Sequence, residues 1–494
     1  MKTSNTTRYL CAAAQTDRGF RNQLLEKVLD EEHRAISAPE GVDLAAVLRH
    51  CLSAKRRKLW LNISVGILFL LAWNSTYRQL LYWNPYFYGT AFTAFFQSIL
   101  GAFATPWFFA AWVCVLMETW ITRYRVIAKS LLKQNYNPDR VKISPRQETR
   151  LRRQLAEIVD NQAGNVAVYS GFSPFVGAGT DIGGWSFTLN LDKPKEKMGT
   201  AQSPEPFEVQ ELYGRIEQDI RRLHIAEVSI QDRLFINGQG IREDERFLPD
   251  RFQRPLSSVD TETVAKFVGG QSEEVRHYKC FRVIGWRGEI VLSAFLRLVK
   301  LRQNLFIEAS YFFLPPLKEQ YRQIDSLQPK PTGRQLLNLV GETLVRTLFL
   351  FPFAIVLAIQ DLLQPINRWS QRGSKRRLIR ENPIFDYGAE TSIREIAASN
   401  QFSHYFQKLD KDMYVKIIER QILDSIVGFL DEHNIDTSDL QARQETILNN
   451  GVIVNGGSID AQNLTVGERA KSAINNVNQA VSSVTSSTKT AAKP

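Results

Sequence analysis

From Leu59 to Tyr77 the chain reads LWLNISVGILFLLAWNSTY, nineteen residues without a charge, and after Arg78 another thirty-nine uncharged residues run from Gln79 to Met117. A soluble helix rarely goes so long without a charged face, whereas a bilayer core about 30 Å thick needs roughly 20 apolar residues as helix. The first run predicts one membrane span. The second predicts another over Thr90–Met117, after a polar and aromatic turn, YWNPYFYG, at 82–89. Asn84-Pro85 signals that turn, and Trp83 with the neighbouring tyrosines suits an interfacial belt. Lys55, Arg56, Arg57 and Lys58 precede the first span, while Trp120, Arg123, Arg125, Lys129 and Lys133 follow the second. The positive-inside tendency then puts both ends of the hairpin, and the bulk of the chain, in the cytoplasm.

A third apolar stretch, Thr347–Gln360, is only fourteen residues long and contains Pro352. At 1.5 Å per residue it reaches about 21 Å as helix. If it crossed, the basic residues that follow, Arg368, Arg372, Lys375, Arg376, Arg377 and Arg380, would lie outside, against the charge rule. A re-entrant or interfacial helix with those residues on anionic headgroups removes the conflict. A third span and a core helix are the alternatives.

Composition adds direction. The net charge of +11 over 494 residues admits nucleic acid or an anionic membrane as partner. Because the basic residues cluster beside the apolar segments, lipid headgroups explain them better than bases, and no nucleic-acid partner is expected. The four cysteines, Cys11, Cys51, Cys114 and Cys280, form no CxxC pair, which argues against a structural zinc site or a disulfide framework.

The segments divide as follows. Residues 1–54 form an N-terminal cytoplasmic helical segment, with short helices at Arg21–His33 and Leu44–Leu52, and 55–125 form the two-span anchor. Residues 126–333 form a cytoplasmic α+β domain with a mainly antiparallel sheet. In it, Gln147–Asn161 and 207–225 have helical period, while 165–171, 185–192, 227–238, 275–286, 289–301 and 304–317 read as strands. The apolar helix occupies 334–366, and a basic linker with a helical region occupies 367–450. Within that region Phe406, Leu409, Met413, Ile417, Ile418, Ile422, Ile426 and Leu430 recur at helical spacing over Tyr405–Asp431, and a second helix covers 436–451. A small β element is expected at 451–480 and a disordered tail at 481–494. The region 405–472 is the expected site of a protein partner or of self-association.

The search for chemistry centres on GFSPFVGAGTDIGGW, residues 171–185. A phosphate-binding loop needs Gly-x4-Gly-Lys-Ser/Thr, and Gly177-Ala178-Gly179-Thr180 lacks the lysine. A dinucleotide fingerprint needs Gly-x-Gly-x-x-Gly opening a helix; Gly177, Gly179 and Gly183 miss that spacing, and Gly184-Trp185 leads into a strand. What remains is a strand connector whose amides could hold an anion, with Gly177, Gly179, Thr180, Gly183 and Gly184 as candidate ligand-binding residues. Phe172, Phe175, Val176 and Trp185 could also dip into the lipid interface. The six histidines form no metal-ligand spacing, and no nucleophile elbow or Cys/His pair is present. No cofactor or metal is expected, and no catalytic residue is assigned.

Three stretches, NVAVYSGFSPFVGAGTDIGGWSF (165–187), ENPIFDYGAETSIRE (381–395) and ILNNGVIVNGGSIDAQNLTVGERA (447–470), resemble a set of large uncharacterised bacterial membrane proteins common in actinobacteria. The last also resembles glycine-punctuated segments of bacterial conflict and signalling proteins. The resemblance implies a bacterial inner membrane and carries no reaction. The expected function is a membrane-anchored scaffold or sensor. The alternatives are an enzyme holding a phosphorylated or lipid-derived ligand at 171–185, and an oligomeric channel or transporter.

Overall fold

The computed structural model describes residues 5–450, apart from 38–40, 84–90, 198–199, 226 and scattered positions between 135 and 163. The expected helix at 147–161 lies largely outside the described residues, and the elements expected at 451–480 and 481–494 lie wholly outside them.

Helix α1 (Asn5–Thr16) was not expected from its sequence, NTTRYLCAAAQT, yet every residue from Thr6 to Gln15 is buried. It packs with α2 (Arg18–Leu24), the π-helical turn Leu25–Asp30 and the start of α3 (Leu44–Trp83) around Leu10, Leu24, Leu44 and Leu48. No proline interrupts α3, so it runs forty residues through Lys55–Lys58 and across the expected boundary at 54/55.

The second uncharged run is not one span. It holds α4 (Ala91–Ala102) and α5 (Pro106–Trp120), broken at Phe103–Thr105. Pro106 explains the break, because a proline disfavours helical geometry in the residue before it and suits the first helical position. The Thr105 hydroxyl donates to Ala102 O at 2.7 Å, and the Ala104 amide donates to Gly101 O at 3.0 Å, so the interrupted backbone is satisfied locally.

Strands β1 (Val166–Tyr169), β2 (Thr180–Asn190), β5 (Val228–Asn237), β6 (Val275–Gly285), β7 (Ile290–Leu301) and β8 (Asn304–Leu314) form one sheet in the order β1-β5-β6-β7-β8-β2. Among the described strands of this sheet, β1 and β5 pair in parallel and the other neighbours antiparallel. A separate hairpin joins β3 (Lys195–Lys197) and β4 (Thr200–Gln202). Strand β7 is buried along nearly its whole length, as a strand covered on both faces must be. Helix α6 (Val209–Arg222) covers one face through Leu212, Ile216 and Ile220.

The third apolar stretch belongs to a forty-nine-residue helix, α7 (Gly333–Glu381), entered through a capping box between Thr332 and Gln335. Counting uncharged residues alone made it look short. Its charges are partnered: Glu342 meets Arg123 at 2.7 Å, Arg346 meets Glu118 at 3.7 Å, and Asp361 meets Arg18 at 3.5 Å. Helix α7 crosses α3 at Gly66, where an added Cβ would lie 3.1 Å from the Ile355 side chain. Leu61, Val65, Phe69, Ala111, Val115, Phe351 and Ala354 fill the space among these helices. By length and composition α3 (Leu44–Leu80) and α7 (Gly333–Gln364) can each cross a membrane.

After α8 (Ile393–Ala397) come α9 (Tyr405–Glu432) and α10 (Ser438–Asn450). Helix α9 lies beside α6 on the sheet, burying Ile418, Ile422, Ile426 and Leu430. The protein is α+β, with a six-stranded, mainly antiparallel sheet, two long apolar helices and a helical C-terminal region.

Candidate functional site: the glycine loop and its internal carboxylate

The segment between β1 and β2 folds back over the sheet face opposite α6 and α9. Phe175 is its plug, stacked on Phe295 with ring centroids 4.2 Å apart and edge-on to Phe235 and Tyr278. Phe312 and Cys280 complete this small core. Gly177 and Gly179 take φ of +94° and +97°, where L side chains are strained. At Gly179 a Cβ would also lie 2.2 Å from Phe313 O, so nothing larger than glycine fits.

These two turns aim their amides at one atom. Gly177 N and Gly179 N donate to Glu395 Oε1 at 2.8 and 3.0 Å, while the Ser392 amide donates to Oε2 at 3.1 Å. The partner of these amides is the protein's own carboxyl side chain, at the third position of α8. The segment before α8 is tied to the same place. Ala389 N donates to Val168 O at 2.9 Å, and Ser170 N donates to Ala389 O at 3.0 Å, so residues around 389 extend the sheet beyond β1. Two of the stretches quoted above, 165–187 and 381–395, are therefore one structural unit. Sequence reasoning found the glycines and missed Glu395, which lies 218 residues from Gly177. The available signal was the Ser392–Glu395 capping-box spacing.

The other candidate residues separate. Thr180 opens β2 opposite Phe313, Gly183 sits at a bulge with its amide on Asp181 Oδ1 at 2.8 Å, and Gly184 passes close to Ala309 O. The cavity beneath the loop, touched by Gly177, Phe175 and Ala178, holds about 40 Å³. That is room for water, whereas small-molecule sites run to roughly 300–1,000 Å³. Phe175 and Trp185 are buried in protein, and Phe172 alone of the loop aromatics is fully exposed.

A chain that matches across the sheet and the helices behind it has its family assigned. A family model described as the AbeC-like domain matches residues 184–462, more than half of the chain. The chain belongs to the AbeC-like domain family. No curated protein and no solved structure matches it. The AbeC-like domain opens at Gly184 on β2 and takes in the rest of β2, strands β5 to β8 and helices α6 to α10, while β1 precedes it.

Within the AbeC-like domain two polar groups stand inside the fold. Glu419 on α9 is 2% exposed, beside Trp185 and Tyr311, whose indole N–H and hydroxyl are 3.2 Å apart. Burial pushes the Glu419 carboxyl up to about 7, against the Trp185 hydrogen bond. Under α6, Asp232 accepts from His277 at 3.0 Å and from Lys279 at 3.0 Å, and Lys279 also meets Glu217 at 2.7 Å. Burial opposes the Lys279 charge, but its two carboxylate partners outweigh that and hold it above the ordinary lysine value. This network fastens α6 to β5 and β6. Among the described residues no group of three or more His, Cys, Asp or Glu side chains is arranged to hold a metal ion.

The expected membrane-interface residues are mostly engaged within the protein. Lys55 bonds Gln364; Arg57 and Lys58 reach Glu118 at 3.3 and 2.6 Å; Arg123 pairs with Glu342; Trp120 packs on Tyr124 with centroids 4.6 Å apart. Lys375 pairs with Glu31 at 2.5 Å and Arg377 with Glu381 at 2.8 Å. Arg56 and Arg376 are exposed. The Trp83 side chain lies outside the described residues. A cleft of about 650 Å³ opens between α2, its following turn and the later half of α7, but its walls are already joined by Lys375–Glu31 and by Lys27–Glu390 at 3.8 Å.

Proposed function

We propose that this protein is a membrane-anchored scaffold, whose apolar helices sit in a bilayer and whose AbeC-like domain holds protein partners without catalysing a reaction. One observation carries the anchor. Trp60, Ile67, Leu70, Leu100, Phe109, Leu344, Leu348, Phe349, Phe353 and Ile359, on α3, α4, α5 and α7, all point outward and are exposed. Apolar surface on this scale destabilises a protein in water and suits a lipid environment. The contacts of Lys55 with Gln364 and of Arg18 with Asp361 support an arrangement with α1, α2 and the sheet beyond the same end of these helices. The clustered basic residues make that side cytoplasmic, and the resemblance to bacterial membrane proteins makes the inner membrane the expected home.

Partner binding is supported by a second exposed patch, Phe402, Tyr405, Phe406, Leu409 and Met413, at the entrance to α9. An anionic ligand at the glycine loop would have to displace Glu395, which weighs against the enzyme reading. Alkaline carbonate washing of membranes tests the anchor: the full-length protein stays in the pellet, and release into the supernatant without detergent overturns the proposal. Crosslinking in detergent tests the scaffold, since a strictly monomeric, unaccompanied protein would refute that half.

A further inference from the structure

Length allows α7 to cross a bilayer, but the residues on either side of it are bonded to each other. Leu317 pairs with Ala398, the Lys318 amide donates to Ala397 O at 3.0 Å, and the Ser399 amide donates to Pro316 O at 2.7 Å. Residues 316–318 follow directly on β8, and residue 389 continues the same sheet beyond β1. A helix that crosses once delivers its two flanks to opposite sides of the membrane. Both flanks of α7 end on one sheet.

The contacts along α7 show how the chain returns. From Phe351 onward it passes α3 in reverse order. Phe351 meets Phe69 with ring centroids 5.2 Å apart, Ile355 meets Gly66, Asp361 accepts from Asn62 at 3.2 Å, and Gln364 bonds Lys55. Up to Phe351 it passes α5 and the turn after it in reverse order. Glu342 meets Arg123 at 2.7 Å, Arg346 donates to Thr119 at 3.4 Å, and Phe351 meets Phe108 with centroids 5.3 Å apart. Helices α3 and α5 are themselves antiparallel, since Lys58 reaches Glu118 while Phe69 and Phe108 share Phe351. A straight helix cannot oppose both of two helices that oppose each other, so α7 reverses its course at Phe351–Pro352. Pro352 has no amide hydrogen for the Leu348 carbonyl, and its ring pushes that carbonyl aside, a common origin of sharp bends.

Charge marks how deep the bend lies. Arg346 and Asp361 close the uncharged stretch Thr347–Gln360, and Pro352 stands six residues from the first and nine from the second. At 1.5 Å per residue the two limbs are about 9 and 14 Å long. One leaflet supplies about 15 Å, half of the 30 Å hydrocarbon core. Phe349 and Phe353, on either side of the bend, are 71 and 61% exposed.

We propose that α7 is a re-entrant wedge, which enters the bilayer from the sheet side, turns at Pro352 and leaves on the same side. Phe349 and Phe353 then lie among the acyl chains of a single leaflet. Arg372, Lys375, Arg376 and Arg377 stay on the sheet side, which removes their conflict with the charge rule. The reversal stands on the contacts alone, while its seat in lipid rests on the membrane reading above.

The test places one new cysteine at a time in the full-length protein, as Lys330→Cys before α7, Ser374→Cys late in it, or Arg78→Cys at the far end of α3, all exposed positions. Spheroplasts of a bacterial host are treated with a membrane-impermeant maleimide before and after lysis, with the parent protein as baseline. The expected result is that Arg78→Cys labels in intact spheroplasts, whereas Lys330→Cys and Ser374→Cys both label only after lysis. Opposite sidedness of 330 and 374 overturns the wedge and leaves the anchor standing. Equal labelling of all three overturns the anchor, and the wedge's lipid seat with it. A second measurement needs no membrane: spin labels on Leu337→Cys and Leu363→Cys in detergent. A straight helix holds these positions about 39 Å apart and a right-angle bend at Pro352 about 28 Å. A distance shorter than about 28 Å is expected, and a longer one overturns the reversal.

Discussion

The apolar helical layer and the sheet domain of this protein are built inside out relative to each other. In the sheet domain Leu212, Ile216, Phe281, Leu296 and Ile422 point inward, and polar residues face solvent. In the layer of α3, α5 and α7, Phe349, Phe353 and Phe109 point outward, whereas the buried carboxylate Glu118 draws Lys58, Arg57 and Arg346 together. The same amino-acid types are in use, and on the proposed membrane reading the difference lies in what surrounds them. Water rewards burying apolar area at about 25 cal/mol per Å². Lipid gives no such reward, and packing and charge pairing have to hold helices together there.

The sharpest way to break this comparison is to charge the outward face of α7. Replacing Leu348 and Phe353 together by lysine costs roughly 5–7 kcal/mol if both side chains meet hydrocarbon, at about 2.5–3.5 kcal/mol each. The double variant is then lost from the membrane fraction. If it remains fully membrane-bound and stable, the outward face does not meet lipid. The matching change in the sheet domain is Phe175→Ala, which empties the aromatic pocket under the glycine loop. A loss of about 3–5 kcal/mol in chemical unfolding is expected, with early hydrogen exchange in residues 171–179, and a loss below 1 kcal/mol would show that the loop is not held by this side chain.

Glu419 sharpens the contrast between a buried charge that is paired and one that is not. Its folded value near 7 stands above the ordinary 4.5, so the folded state holds a proton that the unfolded state releases. Its contribution to stability is complete below about pH 4.5 and is lost as pH rises through 7. Glu419→Gln therefore stabilises the protein at pH 8 by up to about 3 kcal/mol, from 1.36 kcal/mol per pH unit, and changes little at pH 4.5. Equal effects of the substitution at both pH values would disprove this. The smallest effect is expected at Glu395→Gln. The neutral amide keeps an acceptor for Gly177 and Gly179 but loses the charge, costing about 1–2 kcal/mol. It is read as faster exchange at those two amides, and unaltered exchange would remove the clasp from the account of the loop.

Much of the sheet was legible because its signal is local. Strands β5 to β8 fall within a few residues of the alternating stretches, and α9 begins at Tyr405 as its periodicity requires. Strand β2 begins at Thr180, five residues before the expected start, since Gly183 and Gly184 were taken as connector. Their lack of side chains is what lets that stretch lie against β8. The apolar segments were misdivided for a related reason. Counting charges overlooked Pro106, which splits the second run, and treated Arg346 and Asp361 as ends when partners on the helices nearby allow α7 to continue.

The amino-acid order alone determined where long apolar helices fall, which segments alternate and which glycines must turn, because each depends on neighbours within a few residues. Only the tertiary structure decided that the Gly177 and Gly179 amides close on Glu395, that Phe175 turns inward while Phe172 does not, and that Tyr405, Phe406, Leu409 and Met413 of α9 stay exposed while Ile418, Ile422, Ile426 and Leu430 are buried. Those outcomes depend on which distant segments share a surface, and that pairing is settled by packing the whole chain at once.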